Sequence, residues 1–228
     1  MLRRISPSER WYITGSSGSG KSTFARYVAA SLTRRIPLVA IDTKGDFLPA
    51  SEPVSIRKAI ASLKDLKPGD VMRVCPDLGE RNKDNFDSLF QAIYLRQHTG
   101  VVVDEVYQVE SDVMDDLLTT GRAREIPIIA CTQRPAWHSR FYLSEASRIS
   151  AFKLTDPADR KRLSGFMDID TDILLPDHCQ YYRNEAGETE YYTACPPTTT
   201  IDRAPRTKSE QNEIPTSGGL ILWSNGEL

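Results

Sequence analysis

Apolar and polar positions divide the first 165 residues into short apolar segments that alternate with longer amphipathic ones. The predicted strands are Trp11–Thr14, Pro37–Ile41, Val71–Val74, Val101–Asp104, Pro127–Cys131 and Ile149–Leu154. The predicted helices are Ser22–Thr33, Ile56–Leu66, Asn82–Gln97, Val109–Arg124 and Pro157–Phe166. The alternation predicts an α/β fold, in which helices cover a mostly parallel sheet. Val101–Val103 is apolar without alternation, which indicates a central strand buried on both faces.

The pattern changes after about residue 175. Cys179–Arg183 and Thr189–Thr193 have strand character and flank the turn sequence Asn184–Gly187. They predict a β-hairpin over residues 178–193 at the edge of the sheet. From Cys195 onward Pro, Thr, Ser, Asn and Gly dominate, so residues 195–228 are predicted to be an irregular tail. We therefore expect a single domain over residues 1–194, with its core at 10–165.

The charge of the chain does not point to a general affinity for nucleic acid. The net charge is −2, but basic residues concentrate before residue 40 and between residues 122 and 162. Such concentrations could line a basic channel after assembly, although they are more often solvated surface. Solvated surface is therefore the more common explanation of this charge pattern.

The four cysteines and three histidines are scattered, without the spacing of a metal site or a disulfide framework. No apolar run approaches the length of a membrane span, and Met1–Arg4 is not followed by a signal-like core. We therefore expect a soluble, cytoplasmic protein with free thiols and no direct membrane insertion.

A loop rich in glycine and serine lies between the first predicted strand and the first predicted helix. It comprises Gly15, Ser16, Ser17, Gly18, Ser19, Gly20, Lys21 and Ser22, and Thr23 follows. Backbone N–H groups in such a loop form a nest for phosphates, Lys21 reaches the β- and γ-phosphates, and the Ser22 hydroxyl ligates Mg²⁺. The alternative is a linker with a chance lysine, but a linker needs no strand before it and no helix after it. The loop predicts binding of a nucleoside triphosphate.

The strand Val101–Asp104 ends in an acidic pair, Asp104 and Glu105. An acidic residue at this position beside a phosphate loop can hold Mg²⁺ through water. Glu105 is then placed to polarise an attacking water, the general-base role that hydrolysis requires. The pair is weak evidence alone, and it gains weight from the phosphate loop.

The next predicted strand is followed by Thr132, Gln133, Arg134 and Pro135. The carboxyl ends of parallel strands share one edge, so Gln133 is predicted to lie near the γ-phosphate and to contact both it and the water. A turn residue before Pro135 is the alternative.

Two further segments carry candidate residues. Arg122 and Arg124 are ordinary for the end of a helix, but either could enter a neighbouring subunit's nucleotide site and stabilise charge there. Asp42 or Lys44, after the second strand, could touch the metal shell or couple the site to a loop facing DNA. A plain turn at Gly45 explains that segment nearly as well.

Four segments together resemble the FtsK/HerA superfamily of ring-forming, DNA-pumping ATPases. They are the phosphate loop, Ile-Asp-Thr-Lys-Gly-Asp-Phe at 41–47, Val-Val-Val-Asp-Glu at 101–105 and Thr-Gln-Arg-Pro at 132–135. The similarity covers about residues 10 to 165. Cellular members usually carry extra domains, for which this chain has no room. It therefore most resembles the genome-packaging ATPases of tailless, membrane-containing viruses.

The resemblance implies a RecA-like (ASCE) P-loop NTPase with sheet order 5-1-4-3-2, and ATP and Mg²⁺ as cofactors. It implies the metal role for Ser22 and Asp104, the base for Glu105, the sensor for Gln133 and a trans role for Arg122 or Arg124. The implied partners are double-stranded DNA without sequence preference, further copies in a ring, and a capsid or vertex protein. The implied location is the host cytoplasm or a packaging vertex of the virion.

Other functions stay open from the sequence. The chain could be a cellular or plasmid-transfer translocase or helicase of the same superfamily. It could be an NTP-dependent assembly factor that does not pump DNA. A small-molecule kinase is a further alternative, against which Glu105 and Gln133 argue because a kinase needs no water-activating group.

Overall fold

Strands and helices alternate through most of the chain in a computed structural model that describes residues 6, 8–48, 51–193 and 200–201. The strands are β1 (Arg10–Thr14), β2 (Leu38–Asp42), β3 (Pro53–Val54), β4 (Val71–Val74), β5 (Gly100–Asp104), β6 (Ile128–Thr132), β7 (Arg148–Phe152), β8 (Gln180–Arg183), β9 (Thr189–Tyr192) and β10 (Thr200–Ile201). The helices are α1 (Lys21–Thr33), α2 (Ile56–Ser62), α3 (Lys83–Arg96), α4 (Val113–Thr120), α5 (Phe141–Glu145) and α6 (Pro157–Ser164). Short 3₁₀ turns cover Leu63–Asp65, Val106–Gln108, Gly121–Arg124 and Pro135–Trp137.

The strands form one sheet in the order β10-β9-β8-β7-β1-β6-β5-β2-β4-β3. The strands from β7 to β3 are parallel, whereas β8, β9 and β10 pair antiparallel at one edge. If β3 and β4 are set aside, the five central strands in chain order are β1, β2, β5, β6 and β7. Their spatial order is then 5-1-4-3-2, which confirms the predicted α/β class. The hairpin β8–β9 also lies where it was predicted.

Helices cover both faces of this sheet. On one face, α1 buries Phe24, Val28 and Leu32 against the central strands. On the other face, α2 to α6 share a larger apolar cluster, to which α3 contributes Phe86 and Phe90. The central strands are therefore buried on both sides, as their apolar sequences predict. Among the described residues, no helix is long and apolar enough to cross a membrane.

Two predicted helices are longer than the observed ones. The predicted helix Ile56–Leu66 ends at Ser62, where a 3₁₀ turn follows α2. The segment Val109–Arg124 contains only α4, because the chain before it makes a 3₁₀ turn and the chain after it tightens into another. The buried guanidinium of Arg10 explains the end of α4, since it donates to the carbonyls of Leu117 and Leu118. A Cβ on Gly121 would lie 3.1 Å from this guanidinium, so a side chain at this position would crowd Arg10.

Two arginines in the basic stretches before residue 40 and between residues 122 and 162 are not solvated surface. Arg10 is 1% exposed and Arg148 is 8% exposed. Arg148 pairs with Glu9 at 2.9 Å between Nε and Oε2, and burial of Arg10 lowers its pKa to about 10. These arginines therefore connect elements of the core rather than line a channel.

The predicted irregular tail lies outside the described residues, except for β10. Thr200 and Ile201 pair antiparallel with Tyr192 and Tyr191. An edge strand presents unpaired N–H and C=O groups that can accept a further strand, which gives a physical reason for this pairing. Cys75, Cys131 and Cys179 are free thiols, and the remaining cysteine lies outside the described residues.

Candidate nucleotide site

The phosphate loop connects β1 to α1, as the sequence predicts. The Gly15 N–H donates to the Thr132 carbonyl at 3.3 Å, and the Ser16 N–H donates to the Lys153 carbonyl at 2.8 Å. The loop is thus anchored to the ends of both strands that flank β1. Gly18 and Gly20 have φ angles of 75° and 102°, which residues with a Cβ rarely adopt.

The loop ends at the N-terminus of α1, whose first residue is Lys21. Gly20 is the N-cap and offers no side chain, so no side-chain hydrogen bond caps this helix. The first N–H groups of a helix lack intrahelical acceptors and carry positive partial charge. The N–H groups at the start of α1 can therefore donate to a bound phosphate.

Gly15 is needed for a different reason, which is space. A Cβ at this position would lie 2.4 Å from the Ser19 hydroxyl oxygen and 2.6 Å from the Phe152 Cβ. The loop therefore folds tightly over the end of β7.

Lys21 is buried between the two acidic residues predicted to act with it. Its Nζ lies 3.6 Å from Asp104 Oδ1 and 3.5 Å from Glu105 Oε1. Burial opposes the charge of Lys21, but the neighbouring acidic groups outweigh burial and raise its pKa. Lys21 therefore stays charged and can bind a phosphate.

Asp104 ends β5 at the cavity and has an unmet hydrogen-bonding atom. Its Oδ1 is buried and, within the described part of the chain, has no hydrogen-bond partner. Burial raises the pKa of Asp104, and Lys21 opposes that rise. Oxygens of Asp42, Asp46 and Asp104 lie within 4.8 Å of one another, but Arg73 and backbone N–H groups already bind the Asp42 carboxylate, which leaves Asp46 and Asp104 of these three for a metal ion. Carboxylate oxygens suit Mg²⁺, so the donors here fit the predicted metal.

Glu105 follows directly and is fully buried, with a left-handed φ of 66°. Its Oε1 lies 2.6 Å from Lys44 Nζ. Its Oε2 accepts a hydrogen bond of 3.0 Å from the Gln133 N–H. Left-handed backbone is uncommon for residues other than glycine, and strained positions of this kind concentrate at functional sites. Both carboxylate oxygens are therefore held by residues from neighbouring strand ends.

Gln133 follows β6 and lines the cavity, and its contact with a γ-phosphate and a water stays a prediction. It is the backbone N–H of Gln133, rather than the side chain, that bonds Glu105. The next residue, Arg134, pairs with Asp156 and Asp159 and stacks on Trp137. The chain after Gln133 is therefore attached to the segment that begins α6.

The segment after β2 is more than a plain turn. Asp42 accepts hydrogen bonds from the Gly45, Asp46 and Phe47 N–H groups and from Arg73. These bonds occupy the Asp42 carboxylate and fix the loop, which carries Lys44 to Glu105. Of the two candidates in this segment, Lys44 contacts the acidic pair and Asp42 shapes the loop.

Arg122 and Arg124 lie away from this chain's own cavity. They precede β6, at the opposite edge of the parallel strands from the phosphate loop. The Arg122 Nη2 donates to the Glu145 carbonyl at 2.9 Å, and the Arg124 guanidinium lies 4.0 Å from the centre of the Tyr94 ring. The structure does not bring either residue to the acidic pair, and their action on a neighbouring subunit stays a prediction.

A cavity of about 320 Å³ lies between the phosphate loop and the ends of β5 and β6, and the fully buried Glu105 is not among the residues that line it. The predicted residues that line it are Ser16, Ser17, Gly18, Gly20, Lys21, Ser22, Thr23, Asp104 and Gln133. Arg26, Lys44, Asp46 and His178 line it as well. The sequence indicated Lys44 as a candidate site residue, but it did not indicate Arg26, Asp46 or His178. For His178 no motif in the sequence could have signalled its position.

A strand–loop–helix phosphate nest with a buried lysine and Asp104 at one polar cavity, and with Glu105 beside that lysine, defines a P-loop NTPase. A family model described as an AAA domain matches residues 10–138. The chain therefore belongs to the AAA domain family.

This chain is also similar to known P-loop proteins in sequence and in structure. The DNA packaging ATPase P9 of Enterobacteria phage PRD1 is 29% identical over 178 residues, which are 76% of this chain and 77% of P9. The structure of the genome packaging NTPase B204 of Sulfolobus turreted icosahedral virus 2 with AMPPCP superimposes with a TM-score of 0.66 at 17% identity, covering 83% of this chain and 100% of that one. The pCW3 conjugation coupling protein TcpA gives a TM-score of 0.55 at 15% identity, covering 82% and 60% of the two chains. The predicted resemblance to genome-packaging ATPases is thereby confirmed.

Proposed function

We propose that this chain is an ATP-hydrolysing motor that translocates double-stranded DNA and packages a viral genome into a preformed capsid. The observation that carries the proposal is the position of Glu105, a buried carboxylate beside Lys21 at the edge of the phosphate loop. The similarity to P9, described as a DNA packaging ATPase, supports DNA as the load. We further propose that the motor works in the host cytoplasm and docks on a capsid or vertex protein.

In the proposed reaction, ATP and water give ADP and phosphate. The loop N–H groups and Lys21 bind the phosphates, Glu105 takes a proton from the attacking water, and Gln133 orients that water against the γ-phosphate. Ser22 and Asp104 would hold Mg²⁺, which neutralises charge on the β- and γ-phosphates. Lys44 Nζ lies 2.6 Å from Glu105 Oε1. Lys44 therefore has to move away before this oxygen accepts a proton from water.

We expect double-stranded DNA to raise the ATPase rate, and we expect this stimulation to fall steeply with salt. Binding of a protein to DNA phosphates releases counterions, so the logarithm of affinity falls linearly with the logarithm of salt concentration. The measurement is steady-state hydrolysis against DNA concentration at several salt concentrations, with two duplexes of unrelated sequence as matched controls. Equal stimulation by both duplexes is expected. Hydrolysis that ignores DNA would favour an assembly factor, and label transferred from ATP to a metabolite would favour a kinase.

We also propose that the chain forms a ring in which Arg122 or Arg124 completes the neighbouring site. Glu105→Gln subunits should be inactive or slow alone. Of Arg122→Ala and Arg124→Ala, the variant that lacks the arginine acting in trans should be inactive or slow as well. Mixing Glu105→Gln subunits with the affected arginine variant should then restore hydrolysis, because one kind of interface combines an intact base with an intact arginine. Light scattering with and without ATP and DNA checks that an oligomer is present. An oligomer whose mixed subunits regain no activity would exclude the trans role.

A further inference from the structure

His178 forms a wall of the nucleotide cavity on the side away from the acidic pair. The cavity extends along the edge of the sheet, where β6 and β5 lie on one side of β1 and β7 lies on the other. Asp104 and Gln133 follow β5 and β6, and they mark the end where the terminal phosphate reacts. His178 precedes β8, which pairs with β7. It therefore stands at the opposite, nucleoside-proximal end.

The imidazole lies over the start of α1. A Cβ built on Gly20 would be 3.2 Å from His178 Nδ1, so the ring occupies the space directly above the N-cap of the helix. This is where exposed N–H groups and the helix dipole attract a phosphate. A ring N–H at this position is within reach of a phosphate bound there.

The turn that carries His178 is attached to the phosphate loop. Asp177 Oδ1 pairs with Lys153 Nζ at 3.0 Å, and the Lys153 carbonyl accepts the Ser16 N–H. The Cys179 N–H donates to the Pro176 carbonyl at 3.3 Å, and this turn gives His178 a φ of 64°. A residue with a Cβ at such an angle is strained, so the fold holds the imidazole beside the loop at some cost.

The other two histidines are engaged elsewhere. His138 hydrogen-bonds the Tyr12 hydroxyl at 2.7 Å, and His98 pairs with Glu125 at 2.8 Å at the opposite edge of the sheet. Among the described residues, no hydrogen bond or ion pair holds the His178 ring. Its polar atoms are therefore available to a ligand.

We propose that His178 binds the α-phosphate of the nucleotide through a ring N–H. The inference rests on the proposed function only in requiring a nucleoside phosphate in this cavity. An α-phosphate is common to AMP, ADP and ATP, so His178 contributes to the binding of all three. Lys21, Asp104 and Gln133 act on the other end and discriminate among them.

The test is calorimetric titration of the full chain with AMP and with ADP. His178→Gly removes the ring and tolerates the positive φ, and we expect it to weaken both ligands about tenfold, as for a hydrogen bond to a charged group. The matched control is His98→Gly, since His98 also has a positive φ, of 44°, but lies far from the cavity. The control should bind as the wild type does. His178→Phe keeps an aromatic ring without an N–H and should be as weak as His178→Gly.

Unchanged affinity of His178→Gly for AMP and ADP would overturn the proposal. Full recovery in His178→Phe would also overturn it, because stacking rather than a hydrogen bond would then supply the contact. Thermal unfolding of each variant verifies that the fold is retained. The readout needs neither hydrolysis nor DNA. A wild-type chain that binds ADP but ignores DNA would therefore contradict the motor and leave this inference standing.

Discussion

Glu105→Gln should bind ATP with nearly wild-type affinity and hydrolyse it about 10² to 10⁴ times more slowly, the usual contribution of a general base. The change keeps the shape of the side chain but removes its ability to accept a proton from water. Binding should survive because the phosphates contact the loop and Lys21 rather than Glu105. Single-turnover hydrolysis and equilibrium binding of ATP, measured on the same sample, separate the two effects.

The matched control is Glu110→Gln, which makes the same chemical change at an exposed position a few residues further along the chain. It should hydrolyse ATP at the wild-type rate. Normal hydrolysis by Glu105→Gln would show that the base has been assigned to the wrong residue. A loss of ATP binding in this variant would instead mean that the contacts of Glu105 with Lys44 and the Gln133 N–H build the site.

The nucleotide site is the part of the molecule that the sequence predicts best. Glycines, Lys21 and Ser22 follow one another in a fixed local order, and local order is visible in a sequence. The strand ends that carry Asp104 and Gln133 are also predictable, because carboxyl ends of parallel strands share an edge. Both kinds of inference need only short segments and one topological rule.

The proximity of Lys44 to Glu105 needs one more fact, the register of two strands. Asp42 lies opposite Asp104 in the pairing of β2 with β5, so the residues that follow them meet at the same edge. A sequence pattern shows that Lys44 comes after a strand, but not which strand lies beside it. The sequence therefore left Lys44 as one of several alternatives.

Contacts between segments that are distant along the chain could not be predicted from the sequence. Arg10 ends α4 by bonding carbonyls more than a hundred positions away, and backbone carbonyls carry no residue-specific signal. The same holds for Arg148, whose partner Glu9 lies at the other end of the domain. Such residues look like surface charges in a composition, and only the fold shows that they are buried. His178 is a similar case at the nucleotide cavity.

Lys21→Met should weaken nucleotide binding strongly and also destabilise the fold. The lysine supplies a charged contact to the phosphates, so its loss should weaken ATP binding about a hundredfold. It also separates two buried carboxylates, at 3.6 Å from Asp104 and 3.5 Å from Glu105. Removing one member of a buried ionic group commonly costs about 3 kcal/mol of unfolding free energy. Titration with ATP and chemical unfolding measure the two losses.

The pH dependence of that destabilisation identifies its cause. Burial already raises the pKa of Asp104, and Lys21 is the neighbour that most opposes the rise. Without Lys21 the pKa rises further, and ionised Asp104 then costs stability that protonated Asp104 does not. The deficit of Lys21→Met should therefore be smaller at about pH 5 than at about pH 8, because folded-state protonation above the ordinary Asp range of about 4 relieves it.

Lys44→Met is the matched control for this argument. It removes the other lysine beside Glu105. The Lys44 side chain is 31% exposed. Solvent screens such a pair, so its loss should cost less stability, and Asp104 keeps Lys21. Equal deficits in the two variants, or a Lys21→Met deficit that does not change with pH, would mean that Lys21 fills space rather than balances charge. A deficit that grows with pH in Lys21→Met alone would assign the balance of buried charge to the same residue that binds the phosphates.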